Sequence, residues 1–136
     1  MEEFLKKHNL SIKPTRIGRS YFLINHEISE IIKKIPARPE YAGLYLGMEK
    51  KSFHPSPALI DIAAKNSKNQ AIINQKAEWM FLCGNDVFEE NSKGKMQGEV
   101  FVMNEHKENL GLGIWTRKKG RKIIKNLQDK GLYLRK

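Results

Sequence analysis

The residues whose types could support covalent or metal chemistry are four histidines, one cysteine and one Asn-Asp pair, and their spacing supports neither. His8, His26, His54 and His106 are scattered, with no ligand spacing between any pair. Cys83 is the single cysteine, which excludes an intrachain disulfide and a Cys-only metal site. It falls in an apolar helical stretch, so a buried structural thiol is expected rather than a nucleophile. His54, between Phe53 and Pro55, is expected to help hold a seam between domains, and Asn85-Asp86 read as a turn after a helix. No glycine-rich loop follows a strand with an acid about twenty positions on, and no cysteine sits in a Pro-Cys nucleophile context. No catalytic residue, metal or cofactor is expected; a small hydrolytic enzyme built on His54 or Asp86 is the weakest alternative.

What remains is charge. Nine of the 25 Lys and Arg lie between Arg117 and Lys136, against one acid, Asp129, so this stretch supplies most of the formal net +10. Ile123, Ile124, Leu127, Leu132, Tyr133 and Leu134 are threaded between the cations, so the segment can be anchored and still present them. A fixed row of cations suits a phosphate backbone, because each contacted phosphate releases condensed counterions. The bland alternative is a solubilising surface without a partner. A pI near 9.7 favours RNA, DNA or an anionic membrane as partner and says nothing about fold. Membrane binding lacks a supporting element: no run approaches 18 apolar residues, and no helix has a polar face made mainly of Lys and Arg. Met1-Glu2-Glu3 opens acidic, without the apolar stretch of a secretory signal, and a cytoplasmic location is expected.

The elements that must position these residues follow from periodicity. With 136 residues and 40% hydrophobic content the chain is long enough for one domain or two small ones. A short helix over Glu2–His8 precedes loop signals at Lys13-Pro14-Thr15 and Gly18. Residues 19–24 read as a strand. Ile28, Ile31, Ile32 and Ile35 form the apolar stripe of a helix ended by Pro36. Tyr41 to Met48 is a strand, 50–57 is rich in turn formers, and Ser56 caps a helix from Pro57 to about Lys65 that buries Leu59, Ile62 and Ala63. The polar run 66–70 is the domain boundary.

The second half opens with a strand at 71–73 and a helix from Lys76 to Cys83, apolar around most of its circumference and expected to be covered on nearly all sides. Gly84 stands where a left-handed cap would. Lys93-Gly94-Lys95 marks a loop, Glu99 to Met103 a strand, and 110–115 a strand alternating large apolar residues with Gly111 and Gly113, which would let another backbone approach closely. From Arg121 to Leu127 both periods fit, with helix slightly favoured.

Helix, Gly84-Asn85-Asp86 turn, strand, polar loop, Leu110-Gly111-Leu112-Gly113-Ile114-Trp115 and the basic ending together resemble the PUA domain, a small RNA-binding pseudo-barrel. From Tyr21 to Lys136 the chain resembles the two-domain ribosome-biogenesis proteins of the Nip-seven type in archaeal form. The residues carrying this are 21–25, 43–47, 51–54, 77–87 and, most closely, 121–131 with 133–135. The resemblance implies an α+β fold: a small N-terminal α/β domain, 1–69, packed on a C-terminal PUA-type β pseudo-barrel, 70–136. It turns 121–127 into a barrel strand followed by a short helical turn.

Arg121, Lys122 and Lys125 match the family's RNA-contacting positions; Gln128 departs from a position often basic in archaeal relatives. Lys118, Lys119, Lys130, Arg135 and Lys136 are further phosphate candidates, and Lys95 and Lys107 the weakest. Trp115 and Tyr133 could stack on unpaired bases or serve as packing. The mechanism expected is docking of a structured RNA, rRNA or tRNA, across this strand, with Gly111 and Gly113 allowing close approach and a ribosome-assembly or RNA-modification protein as a second partner. Residues 43–47, 50–51, 53 and 55–59 also resemble the RNA-binding tail of rRNA cytosine-5 methyltransferases, so an RNA-targeting module acting in trans with such an enzyme is the alternative.

Overall fold

The computed structural model describes residues 1–25, 33 and 43–133. The predicted Ile28–Ile35 helix therefore lies outside the described residues apart from Lys33, as does the start of the strand predicted from Tyr41. The chain divides into two compact units, Met1–Ala63 and Ala64–Lys136.

In the first unit, helix α1 (Glu2–Lys7) precedes a four-stranded antiparallel sheet in the order β1 (Thr15–Ile17), β2 (Ser20–Leu23), β3 (Leu44–Glu49), β4 (Phe53–Pro55). β1 was expected to be loop. It becomes a strand because Gly18, at φ +64, and Arg19 make a two-residue turn that pairs Ile17 with Ser20. β4 likewise falls inside the stretch read as turn formers. Met1, Leu5, Leu46 and Leu59 form a core cluster of this unit, with Phe4, Tyr21 and Phe53 packed against it and the Phe53 ring edge to face with the other two. Helix α2 (Pro57–Asn66) starts as expected: Ser56 Oγ accepts from the Leu59 N–H at 3.1 Å and donates to the Tyr45 carbonyl at 2.8 Å. It buries Leu59, Ile60, Ala63 and Ala64, while Ile62, expected inside, is only half-buried.

The second unit holds a six-stranded sheet in the order β6 (Val87–Phe88), β10 (Arg121–Asp129), β9 (Asn109–Lys118), β8 (Glu99–Met103), β5 (Gln70–Ile73), β7 (Ser92–Gly94). Only β5 and β8 run parallel; helix α3 (Gln75–Leu82) lies in the connection between them. Single 3-10 turns occupy Glu89–Asn91 and Lys130–Tyr133. Ala71, Ile73, Val87, Val100, Val102, Leu110, Trp115 and Ile124 cover the inner face of the sheet, and α3 lays Ala77 and Phe81 on them. Phe81 is wholly buried, so truncating it to Ala would cost about 3–5 kcal/mol.

Helix α3 begins at Asn74, whose Oδ1 accepts from the Ala77 N–H at 2.9 Å. It ends in a Schellman turn, with Gly84 N–H on the Phe81 carbonyl, Asn85 N–H on the Met80 carbonyl and Gly84 at φ +94. Its covering differs from expectation. Lys76, Trp79, Met80 and Cys83, spaced i, i+3, i+4, i+7, form an exposed stripe, with Trp79 71% and Met80 45% exposed. Cys83 is therefore a surface thiol and not the buried one expected, because the apolar content of α3 exceeds the one face that packs.

Candidate nucleic-acid interface

Strands β9 and β10 pair along nearly their whole length, and the turn joining them is built by Lys119 at φ +51 and Gly120 at φ +78. Two consecutive left-handed residues match a type I′ turn, whose twist suits a two-residue hairpin. The register sets Lys118 opposite Arg121, Arg117 opposite Lys122, Thr116 opposite Ile123 and Trp115 opposite Ile124. Five cations, Arg117, Lys118, Lys119, Arg121 and Lys122, thus surround one turn.

Strand alternation divides them. Ile124 and Trp115 belong to the core, so the next pair outward on that face is Lys122 and Arg117. Lys118, Arg121 and Lys125 lie on the outer face with Ile123. Arg121, Lys122 and Lys125 therefore do not form one row: the middle residue points to the opposite side.

The outer face is partly neutralised. The Arg121 guanidinium lies 4.2 Å above the Phe88 ring centroid and donates to Glu90 Oε1 at 2.8 Å. The inner face is organised around Trp115. Its indole N–H donates to the Lys95 carbonyl at 2.8 Å, its main-chain N–H donates to the Gly98 carbonyl at 3.0 Å, and the Lys122 ammonium sits 5.1 Å from its ring centroid. Trp115 is 8% exposed and belongs to the core, so it is not the freely exposed stacking platform that its position beside the cations suggests.

The remaining predicted residues do not converge here. Lys130 stands in the 3-10 turn at the far end of β10, roughly 30 Å of extended chain from the hairpin turn. Tyr133 closes that turn, and Arg135 and Lys136 lie outside the described residues. Lys95 Nζ donates to Asn69 Oδ1 at 2.8 Å, and Lys107 is on the exposed loop between β8 and β9 at φ +60. Gly111 and Gly113 are buried, and what approaches them is not RNA. A Cβ at Gly111 would meet the Gln128 carbonyl and Asp129 Cα, and one at Gly113 would meet Ile124. They make room for β10.

Asp86 is engaged in holding β10. Its Oδ1 accepts the Asn126 main-chain N–H at 2.9 Å, and Asn126 Nδ2 donates to the Phe81 carbonyl at 2.9 Å. His54 is exposed on β4, opposite Met48. Among the described residues no three His, Cys, Asp or Glu side chains gather as metal ligands would, and no helix is long and apolar enough to cross a membrane. Sequence reasoning missed Phe88 and Glu90, which hold Arg121, because they lie some thirty positions away, Phe88 in a two-residue strand and Glu90 in the 3-10 turn after it, both too short to leave a periodic signal.

A family model, the UPF0113 PUA domain, matches residues 69–136. A UPF0113 protein of Archaeoglobus fulgidus is 30% identical over 109 residues, spanning 71% of this chain and 63% of that protein's length. A UPF0113 protein of Aeropyrum pernix is 26% identical across 100% of this chain and 86% of its own. Among solved structures, a conserved PUA domain protein from Thermoplasma acidophilum aligns with a TM-score of 0.47 at 18% identity, over 66% of this chain and 69% of that one.

Proposed function

Because the chain belongs to the UPF0113 PUA-domain family, and PUA domains are generally RNA-binding modules, we propose that it binds RNA through the cationic end of the β9–β10 hairpin. The observation that carries this is the hairpin turn itself. Of its five cations only Arg121 is held by a carboxylate among the described residues. The backbone that carries the other four is set by a regular two-strand register and a tight turn, so no chain ordering is needed for them to meet a phosphate backbone. Phosphate contacts position without specifying, and sequence preference would come from unpaired bases or RNA shape.

The finer reading is that the RNA is a ribosomal precursor and the protein an assembly factor, with 70–136 as the RNA-binding domain and 1–69 as the domain available to a protein partner. Support for it is the resemblance of 121–131 and of the N-terminal segments to that class. The binding claim is tested by competing structured RNA against duplex DNA of equal length at near-physiological salt. Retention of RNA with loss of DNA is expected; equal loss of both would contradict it. Crosslinking in cells tests the finer reading, with enrichment of precursor rRNA over tRNA expected and the reverse ruling it out.

A further inference from the structure

The inner face of the β9–β10 hairpin changes character at its open end. Trp115 and Ile124 close the core, and one residue pair further out stand Arg117 and Lys122. Between them and the Met96–Gly98 segment lies a cleft of about 200 Å³, with Trp115 and Met96 as its apolar wall and the two cations at its rim. Among the described residues no carboxylate lines it. Gly98, at φ +70, leaves open space around its Cα, and the exposed Gln97 carboxamide offers both donors and an acceptor there.

We propose that this cleft is a subsite for one unpaired nucleotide of the bound RNA. Its base lies against Met96 and Trp115, and its phosphate sits between Arg117 and Lys122. The inference rests on the RNA-binding reading above and adds to it a place for a single base. Three features point this way. The volume is below the roughly 300–1,000 Å³ of a site for a larger organic ligand, which limits the buried part to a single ring system. Cross-strand partners lie about 4.5–5.5 Å apart at the backbone, close enough for both side chains to reach one phosphate.

The third feature is the resting position of Lys122. Its ammonium covers the Trp115 ring, a contact weaker than the charge-assisted hydrogen bond a phosphate oxygen offers. An arriving phosphate draws Lys122 off the indole and uncovers the ring for the base. The indole itself stays in place through its bond to the Lys95 carbonyl. A base inside a duplex cannot enter, so the subsite confers a preference for single strands.

The test uses the Trp79→Phe chain, in which Trp115 is the sole remaining tryptophan of two. Its emission is followed while a labelled ten-nucleotide oligouridylate is added, and anisotropy of the label reports binding in the same samples. Saturable change in Trp115 emission at the midpoint given by anisotropy is expected. Duplex RNA of equal length should bind without that change. Lys122→Gln should weaken the single strand by about 10- to 150-fold, the span of one lost charge-assisted hydrogen bond to the phosphate held in the cleft, and the duplex, whose phosphates do not enter it, by much less. Arg117→Gln, an exposed substitution that leaves the Trp115 contacts intact, should do the same if Lys122→Gln disturbs folding.

Oligouridylate that binds with no change at Trp115 would overturn the subsite and leave RNA binding standing. Absence of binding to any RNA would overturn both. Uridine monophosphate saturating the change at the same concentration as the oligomer would assign the cleft to a free nucleotide and overturn its place in RNA recognition.

Discussion

Asp86 Oδ1 accepts the main-chain N–H of Asn126 at 2.9 Å, and this bond fastens the turn after α3 to the middle of the basic strand. The Asn126 side chain reinforces it by donating to the Phe81 and Asn85 carbonyls at 2.9 and 3.4 Å. One residue further on, the β10 register shifts between Asn126 and Gln128 and leaves Leu127 46% exposed. The pair thus anchors β10 where its ladder is irregular.

Asp86→Ala should cost about 1–3 kcal/mol, because it leaves the Asn126 N–H without its partner. Asp86→Asn retains an acceptor oxygen and should cost less. Urea unfolding of the two variants checks this; equal losses would mean that the charge, not the hydrogen bond, matters.

Gly111→Ala should be more damaging than Gly113→Ala. At Gly111, φ is +148 and a new Cβ would press on the Gln128 carbonyl and Asp129 Cα, both main-chain atoms. At Gly113 it would press first on Cγ2 of the buried Ile124 and less closely on the Lys125 carbonyl, so the main chain is opposed less directly than at Gly111. A cost of about 1–3 kcal/mol is expected for Gly113→Ala, and more for Gly111→Ala. RNA affinity per folded molecule should not change for Gly113→Ala; a selective loss of affinity would return these glycines to the RNA surface.

Much of the second unit was legible in advance. Glu99–Met103 announced itself by continuous apolar content, and the Gly84 cap by its place after α3. The basic strand was not, because Arg121 to Leu127 satisfies both periods. Ile123 and Ile124 are adjacent and both buried, one on each face of β10, a pattern that a half-exposed strand's alternation does not anticipate. Strands β1, β4 and β7 escaped notice because three residues carry no period; pairing partners make them strands. The division of the cations between two faces was already implicit in the alternation of residues 121–125, but the Arg121–Glu90 pair depends on long-range register.

Lys119 occupies a left-handed turn position that Asn or Gly would take at lower cost. Lys119→Asn should raise stability by up to about 1 kcal/mol while lowering RNA affinity and reducing the salt slope by about one phosphate contact. Stability and affinity moving together would contradict a role for the Lys119 charge.

In the proposed binding mode, Glu90 competes with RNA for Arg121. The pair is solvent-exposed, at 58% and 61% for the two side chains, and is worth about 0.2–1 kcal/mol. Glu90→Gln should therefore tighten RNA binding by about 1.5- to 5-fold, with the gain vanishing in the Arg121→Gln background. A gain that persists there would show that Glu90 acts through the general field instead.

The most direct measurement is the salt dependence of RNA affinity for the wild type and two variants of equal charge. One replaces Arg117, Lys118, Lys119 and Lys122 with Gln; the other replaces Lys13, Lys50, Lys51 and Lys65, exposed cations remote in sequence from the hairpin. The hairpin variant should bind more weakly and flatten the slope of log K against log salt by about three for a single strand, as four lost phosphate contacts require. The second variant should stay near wild type. Equal slopes for all three proteins, or equal losses in both variants, would mean that the hairpin is not the RNA-binding site.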